Sequence, residues 1–533
     1  MRRVVLVLAL LASALVVVPA AGAKVLLVGT YHGVHGKYSS LQAAVDAAHP
    51  GDWILLAPGD YKTTSSQHPR GRADEAAGVL VTKPDIWIVG MNRNSVIVDG
   101  TKSGPACSTK AADQNFGPKV KGKAQGLNGI MVFKAKNVDI ENLTVCNFLG
   151  GAGDAGNEIW WNGANGSGKI GGHGMWGSYL TATSRFYNGE TTAAQYGIFS
   201  SNWDGGEWIH TYTSNFNDSG YYIGACQDEC NQTIDDAWAQ YNALGYSGTN
   251  SGGSLLVENS QFDHNEEGFD TNSQNNDDWP SPQNGACPAG VGPPVAGAPS
   301  CWVFYKNYVH DNNNPDVPSA GAAAAGPVGT GMTISGGRDD TIMDNRFVNN
   351  GAWGAAFVPY PDLETPPKDA IPCEGGTPNF QITLFGLPVI IPCYYEDSND
   401  AMIGNTFTHD GFYGNPTNGD IAELTLIGGP SDCFASNVDT HGNLTSSPAG
   451  LQQSKPTCGG QVAGNNNTAF LAESACDTQI LGPGTGCQPG DKYPRRKKVV
   501  MHALPKHLQT MPNVCGHVPA NPWCPAHKGK AYE

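Results

Sequence analysis

A glycine followed by an apolar, any, apolar pattern recurs through the middle of this chain at nearly constant spacing. It stands at Gly174-Met175, Gly197-Ile198, Gly220-Tyr221, Gly245-Tyr246 and Gly268-Phe269, in steps of 23, 23, 25 and 23 residues. It returns at Gly331-Met332 and Gly354-Ala355, again 23 apart, and earlier copies begin at Gly129-Ile130 and Gly78-Val79. A fixed period of this length marks a solenoid, in which each repeat buries its apolar face only against its neighbours. Leucine-rich repeats share the period but need regularly placed leucines, which are missing here. Each copy instead carries a second β-type run and an Asn-rich turn, as in Thr341-Ile342-Met343-Asp344-Asn345-Arg346-Phe347. A coil therefore reads as two or three short strands stacked into parallel sheets. The fold expected is all-β, a single-stranded right-handed parallel β-helix. Asn217, Asn242 and Asn265 each precede the next glycine by three residues. Stacked at equivalent turns, their amides form an internal ladder that satisfies buried backbone groups.

Composition agrees with short strands and tight turns. Of 533 residues 69 are glycine, and charged residues make up 15%, too few for a helical bundle. The net charge of −17 excludes nucleic acid as a natural partner, because phosphate binding needs a basic surface. Arg2 and Arg3, the apolar run Val4 to Val18 and Ala21-Gly22-Ala23 read as a secretory signal over residues 1–23. No later stretch is long enough to span a membrane, so a secreted, soluble chain, acting as a monomer, is expected. All 14 cysteines follow the signal, and an even count in an exported chain favours disulfides. Pairing of sequence neighbours gives Cys107–Cys146, Cys226–Cys230, Cys287–Cys301, Cys373–Cys393, Cys433–Cys458, Cys476–Cys487 and Cys515–Cys524, one of many connectivities that the count allows.

The β-helix domain is expected over 24–445, with a disulfide-containing, basic extension over 446–533. At its start Leu41 to Ala48 is a short amphipathic segment, with Ser39 and Gln42 spaced as a capping box. Such a helix covers the open end of a solenoid, whose first coil otherwise offers free strand edges. Gly51-Asp52 and Ala57-Pro58-Gly59-Asp60-Tyr61 follow. This run resembles the opening of the pectin-lyase-like superfamily, and the later coils resemble its β-helix repeats, over about residues 39 to 445. The resemblance implies the fold. It leaves activity open among lyases, hydrolases, esterases, epimerases and non-catalytic surface proteins. Gly172-His173-Gly174 matches one piece of the polygalacturonase pattern. That family's paired aspartates precede the tripeptide, whereas Asp235-Asp236 follows it here, and the later Arg-x-Lys piece is missing.

Side chains alternate along a strand, so the second residue after each repeat glycine faces outward. Read down the stack this gives Trp176, Phe199, Tyr222, Ser247, Asp270 and, beyond an insertion, Thr333. Outward aromatics on successive coils lie about 4.8 Å apart and suit the apolar faces of sugar rings. A ladder that only stabilises the sheet is the competing reading. Asp270 continues the line, and long insertions at Asn272 to Ser300 and Pro315 to Gly329 gather around it, as loops do around sites on rigid scaffolds. Acidic residues are dense there. Asp270, Glu266, Asp277 and Asp278 are the candidate catalytic groups, because crowded carboxylates raise one another's pKa and supply an acid and a base. Trp176, Phe199, Tyr222, His264 and Asn272 are the candidate substrate contacts. The same carboxylates suit Ca²⁺, whose ligands are oxygens, although no metal-binding set stands out. The function expected is a secreted carbohydrate-active protein that binds, and cleaves or modifies, an extracellular polysaccharide. The alternative is a non-catalytic surface or adhesive scaffold. From Asp491 on, eight Lys/Arg stand against two acids, a tail free either to stay solvated or to dock on the acidic solenoid.

Overall fold

The computed structural model describes residues 23–525 except 64–65, 165–168, 227–228, 273, 277–301, 367, 369–370, 385 and 517. Three parallel sheets run its length. Sheet 1 has 11 strands, from Ala77–Val81 to Ser446–Ser447, and sheet 2 has 12, from Val25–Val28 to Cys433–Ala435. Sheet 3 has 11, from Gly59–Lys62 to Val438–Asp439. One coil passes from Leu244–Thr249 in sheet 1 to Leu255–Glu258 in sheet 2 and Gln261–Asp263 in sheet 3. It then enters Glu267–Asn272, which pairs in parallel with the strand where the coil began. Parallel crossovers of this kind wind right-handed, because a right-twisted strand packs back onto its sheet only that way. The result is the right-handed parallel β-helix that the glycine period implies.

The repeat glycines have a steric cause. They stand where sheet 3 turns into sheet 1. A Cβ on Gly245 would lie 2.3 Å from the Gly268 carbonyl and 3.0 Å from Asn265 Nδ2; on Gly268 it would lie 2.4 Å from the Gly331 carbonyl and 2.7 Å from Asn312 Nδ2. Those amides are the ladder. Asn242 Nδ2 donates to Asn265 Oδ1 at 3.0 Å, Asn265 to Asn312 at 3.0 Å, Asn312 to Asn350 at 3.2 Å, and Asn350 to Asp410 Oδ1 at 2.9 Å. Asn217 is not a rung, since its Nδ2 donates to the Glu190 carbonyl. A second ladder, Asn307, Asn345, Asn405 and Asn437, lines the corner between sheets 2 and 3. Between the ladders lies a continuous apolar core with stacked rings such as Tyr246–Phe269, 4.2 Å between centroids.

The end structures differ in detail from the sequence expectation. Helix Leu41–Ala47 caps the first coil with Leu41, Ala44 and Val45, but Ser40 rather than Ser39 is its N-cap. Gln42 reaches instead to the edge strand, where its Oε1 accepts from Leu80 N at 2.7 Å. The apolar stretch Phe380 to Ile391 is paired with itself in a small sheet outside the three long ones. It forms an antiparallel pair, Thr377–Leu384 with Leu387–Tyr395, from which Ile390 stands 61% exposed. Every expected disulfide within the described residues is formed. Cys287–Cys301, like the signal segment up to residue 22, lies outside them.

The basic tail docks. Helix Thr468–Thr478 sets Phe470 against Trp353, and the chain then runs back toward the N-terminal end as a strap. Arg496 pairs with Glu190 at 2.8 Å, His502 stacks on Tyr241 at 3.7 Å, and Arg93 donates to the Gln509 carbonyl at 3.0 Å. The strap ends with Met511, Val514, Val518 and Trp523 on Leu55, Val89 and Met91, at the outer face of sheet 2. No helix among the described residues is long and apolar enough to cross a membrane.

Candidate functional site

Register alone defines an outer row on sheet 1. It runs Leu80, Met131, Trp160, Phe199, Tyr222, Ser247, Asp270, Thr333 and Ala356 on successive strands. Phe199, Tyr222 and Asp270 thus share one row, as the repeat implied, but Trp176 does not. Trp176 lies on sheet 2, paired with Asp139 and Glu207. The aromatic above Phe199 is Trp160, stacked on it at 5.0 Å. The sequence scan missed this coil because Glu158 stands where its repeat glycine would be, while Gly174 falls a chance 23 residues before Gly197.

The row is a partly covered floor. Met131, Trp160 and Phe199 are buried, and Tyr222, Ser247 and Asp270 are half-buried. Tyr196 joins from the next row, 4.6 Å from Phe199 and 5.1 Å from Tyr222. Its hydroxyl donates to Asp218 Oδ2 at 3.0 Å. On one side the short 3₁₀ segment Gly321–Ala325 places Ala323 against Leu244 and Ala243. On the other, Asn275 is locked to Asn250, and Asn276 N donates to Asp362 Oδ2.

Two half-buried carboxylates face this floor. Burial raises Asp270 to about 6, although Ser335 Oγ donates to it at 3.0 Å. Burial raises Asp218 to about 7, with the charge of Asp270 adding to the effect against the Tyr196 and Ser219 hydroxyls. Glu267 sits deeper, its pKa pushed well up by burial and by Asp270, with Thr333 Oγ1 donating to Oε1. Asp218 escaped the sequence reading because it precedes its strand, at a corner where acids are common; only its contact with Tyr196 distinguishes it.

The other sequence candidates lie elsewhere. Glu266 is buried beneath the strap, 3.9 Å from Arg496, and burial raises it to about 8. His264 is on the sheet 3 side, bonded through Nδ1 to Asp263, which holds its pKa up. Asn272 is buried at the far end of its strand, and its carbonyl accepts from Asn250 N at 3.1 Å. Asp277 and Asp278 fall outside the described residues. Cys476, Cys487 and Asp491 form the one group of three potential ligands, among the described residues, with ligand atoms within 4.8 Å of one another. The two sulfurs form a disulfide, so they are not thiolate donors, and Asp491 is the one oxygen ligand in this group.

No family model and no curated protein matches the sequence. Solved structures match distantly. Pectate lyase Pel9A is 12% identical, with 79% of this chain and 78% of that one covered and a TM-score of 0.35. The A-module of the Azotobacter vinelandii mannuronan C-5 epimerase AlgE6 is 13% identical, with 75% and 88% covered and a TM-score of 0.42. The alginate lyase of Paenibacillus sp. str. FPU-7 is 13% identical, with 65% and 96% covered and a TM-score of 0.29. These matches single out no particular family.

Proposed function

We propose that this chain is an extracellular carbohydrate-active protein that lays a polysaccharide along the outer face of sheet 1 and hydrolyses it. The observation that carries this reading is the unbroken register from Trp160, Phe199 and Tyr222 to Asp270, with Asp218 held beside it by Tyr196. Sugar faces pack on the rings, and the two carboxylates divide acid and base work. Asp218, the more strongly raised, protonates the leaving oxygen; Asp270 is ionised at lower pH and acts as base or nucleophile on the sugar. The basic, apolar start of the chain and its disulfides support export.

The test is a panel of pectin, polygalacturonate, alginate, xylan and neutral glucans, run with Ca²⁺ and with EDTA. Reducing ends and the ultraviolet absorbance of unsaturated uronates are followed together. Hydrolysis predicts reducing ends alone, surviving EDTA and lost in Asp270→Asn and Asp218→Asn. Absorbance that EDTA abolishes identifies a Ca²⁺-dependent lyase instead. Silence in both signals removes depolymerase and leaves a uronate epimerase or the non-catalytic scaffold.

A further inference from the structure

The outer face of sheet 2 carries a second set of rings and acids that the proposed reaction does not use. One row runs Trp53, Trp87, Asp139, Trp176, Glu207 and Thr233 on successive strands. Strands in a sheet are about 4.8 Å apart, so Asp139 stands between two indoles, each one strand away. The neighbouring row places Glu141, Asp235 and Glu258 on the same face. Trp53 and Trp87 are stacked 4.9 Å apart at 9°. All three indoles, and Asp139, Glu207, Asp235 and Glu258, are half-buried, forming a relief that is neither sealed nor bare.

The charge on this face is not internally balanced. Asp235 and Glu258 are direct register partners, and like charges opposite one another cost stability. Asp139 feels Glu141, and Glu207 feels both Asp235 and Glu258, each acid making the next harder to ionise. Asn259 donates to Asp235 at 2.9 Å, and this partner is neutral. Lys306 stands at the far end, over the Tyr305 ring at 4.6 Å. Among the described residues, the strap covers this face at its first strands, where Met511, Val514, Val518 and Trp523 cluster with Leu55 and Val89 and the half-buried Trp53 and Trp87 pack against them.

We propose that the outer face of sheet 2 is a second glycan-binding surface, specific for a polysaccharide of cationic amino sugars. Trp176, outside the strap cluster and flanked in register by Asp139 and Glu207, takes the face of a pyranose ring, and an indole beside a carboxylate is the arrangement that holds an ammonium group by cation–π attraction and an ion pair together. A sugar residue in an extended polymer advances by about one strand spacing, so successive amines meet successive acidic positions along the axis. A basic peptide would use the carboxylates but has no sugar ring to lay on Trp176. The site is separate from the sheet 1 floor, and the two readings stand or fall independently.

Calorimetric titration of the full chain with a glucosamine hexamer, at a pH where its amines are charged, tests this. The N-acetylated hexamer and a lysine hexapeptide are run alongside. The glucosamine hexamer should bind, at least about tenfold tighter than either comparator, with affinity falling as salt rises. The double variant Glu207→Gln/Asp235→Asn and, separately, Trp176→Ala should each lower affinity by about tenfold while keeping the wild-type melting profile. Asp270→Asn should leave binding unchanged. Equal affinity for the acetylated hexamer, a lysine peptide that binds as well, indifference to the sheet 2 substitutions or sensitivity to Asp270→Asn would each overturn the proposal.

Discussion

At the scale of single residues, the environment of a side chain decides what an ordinary amino acid does. Asp218, held by the Tyr196 hydroxyl, and Asp270, between Ser247 and Thr333 in register, have pKa values raised to about 7 and about 6. If Asp270 must be ionised and Asp218 protonated, kcat/KM follows a narrow bell with limbs near those values. Because the two groups repel one another, the limbs belong to the pair. Asp218→Asn should remove the alkaline limb along with most of the activity, and a profile flat from pH 5 to 8 contradicts the assignment. Asn345 shows the structural counterpart. Its Nδ2 donates to Phe304 O and Asn405 Oδ1, each at 2.9 Å, and its Oδ1 accepts from Asn307 N at 2.8 Å. Asn345→Ala leaves buried donors and acceptors without partners and should cost about 3 kcal/mol in denaturant unfolding. A loss within the error of the extrapolation would mean that water fills the gap.

At the scale of elements, two features of the C-terminal half act as fasteners. The strap from Arg495 to Met511 lies on the solenoid through polar and ring contacts, such as Arg496 to Glu190 and His502 to Tyr241, before its apolar end at Met511. Arg93 ties it to the coils, donating through Nη1 to Gln509 O on the strap at 3.0 Å and, on the solenoid, through Nε to Thr181 Oγ1 at 2.6 Å and through Nη1 to His210 O at 2.9 Å. Arg93→Met withdraws these donors, and limited trypsin digestion should then cut after the exposed Lys506 much faster than in the wild type. Equal cutting rates would show that the disulfide-closed ends suffice to hold the strap. The second fastener is a ladder of acids at the corner between sheets 1 and 2. Asp340 N donates to Asp400 Oδ1 at 2.8 Å, and Asp400 N to Asp432 Oδ1 at 2.9 Å. Oδ2 of Asp400 and of Asp432 is buried without a hydrogen bond, and burial with mutual repulsion drives both pKa values well up. An amide in this place donates, as it does along the asparagine ladders. Asp400→Asn should therefore raise the melting temperature at neutral pH and leave it nearly unchanged in acid, where the carboxyl is protonated already.

At the scale of the whole molecule, the same sign is repeated many times. Asp139, Asp218, Asp270, Asp410, Asp420 and Glu266 are raised to between about 6 and about 8, and Glu158, Glu267 and Asp477 well above the usual carboxylate range. A carboxyl whose folded pKa is raised binds its proton more tightly in the native state. The stability it gives is complete below the unfolded value near 4 and is lost as pH climbs through the folded value. The solenoid should unfold at progressively lower denaturant between pH 5 and pH 9. A midpoint constant over that span would mean that these groups are matched by proton uptake in the unfolded chain.

What the sequence determined by itself is what repeats. A coil of fixed length needs a glycine wherever the next coil's backbone leaves no room for a Cβ, and an asparagine wherever a corner must be bonded to its neighbour. Gly245, Gly268, Asn242 and Asn265 therefore announce the fold locally. The row through Phe199, Tyr222 and Asp270 is equally legible, because alternation along a strand and constant register transfer directly from sequence spacing. Only the tertiary structure decided which glycine belongs to which sheet, and so moved Trp176 to the outer face of sheet 2 and brought Trp160 and Asp218 to the floor on sheet 1. It alone placed Glu266 under Arg496 and His264 beside Asp263. The physical reason is that coil length varies through insertions at the corners, which shift sequence spacing without shifting register. Contacts made by a returning tail, moreover, have no period to read.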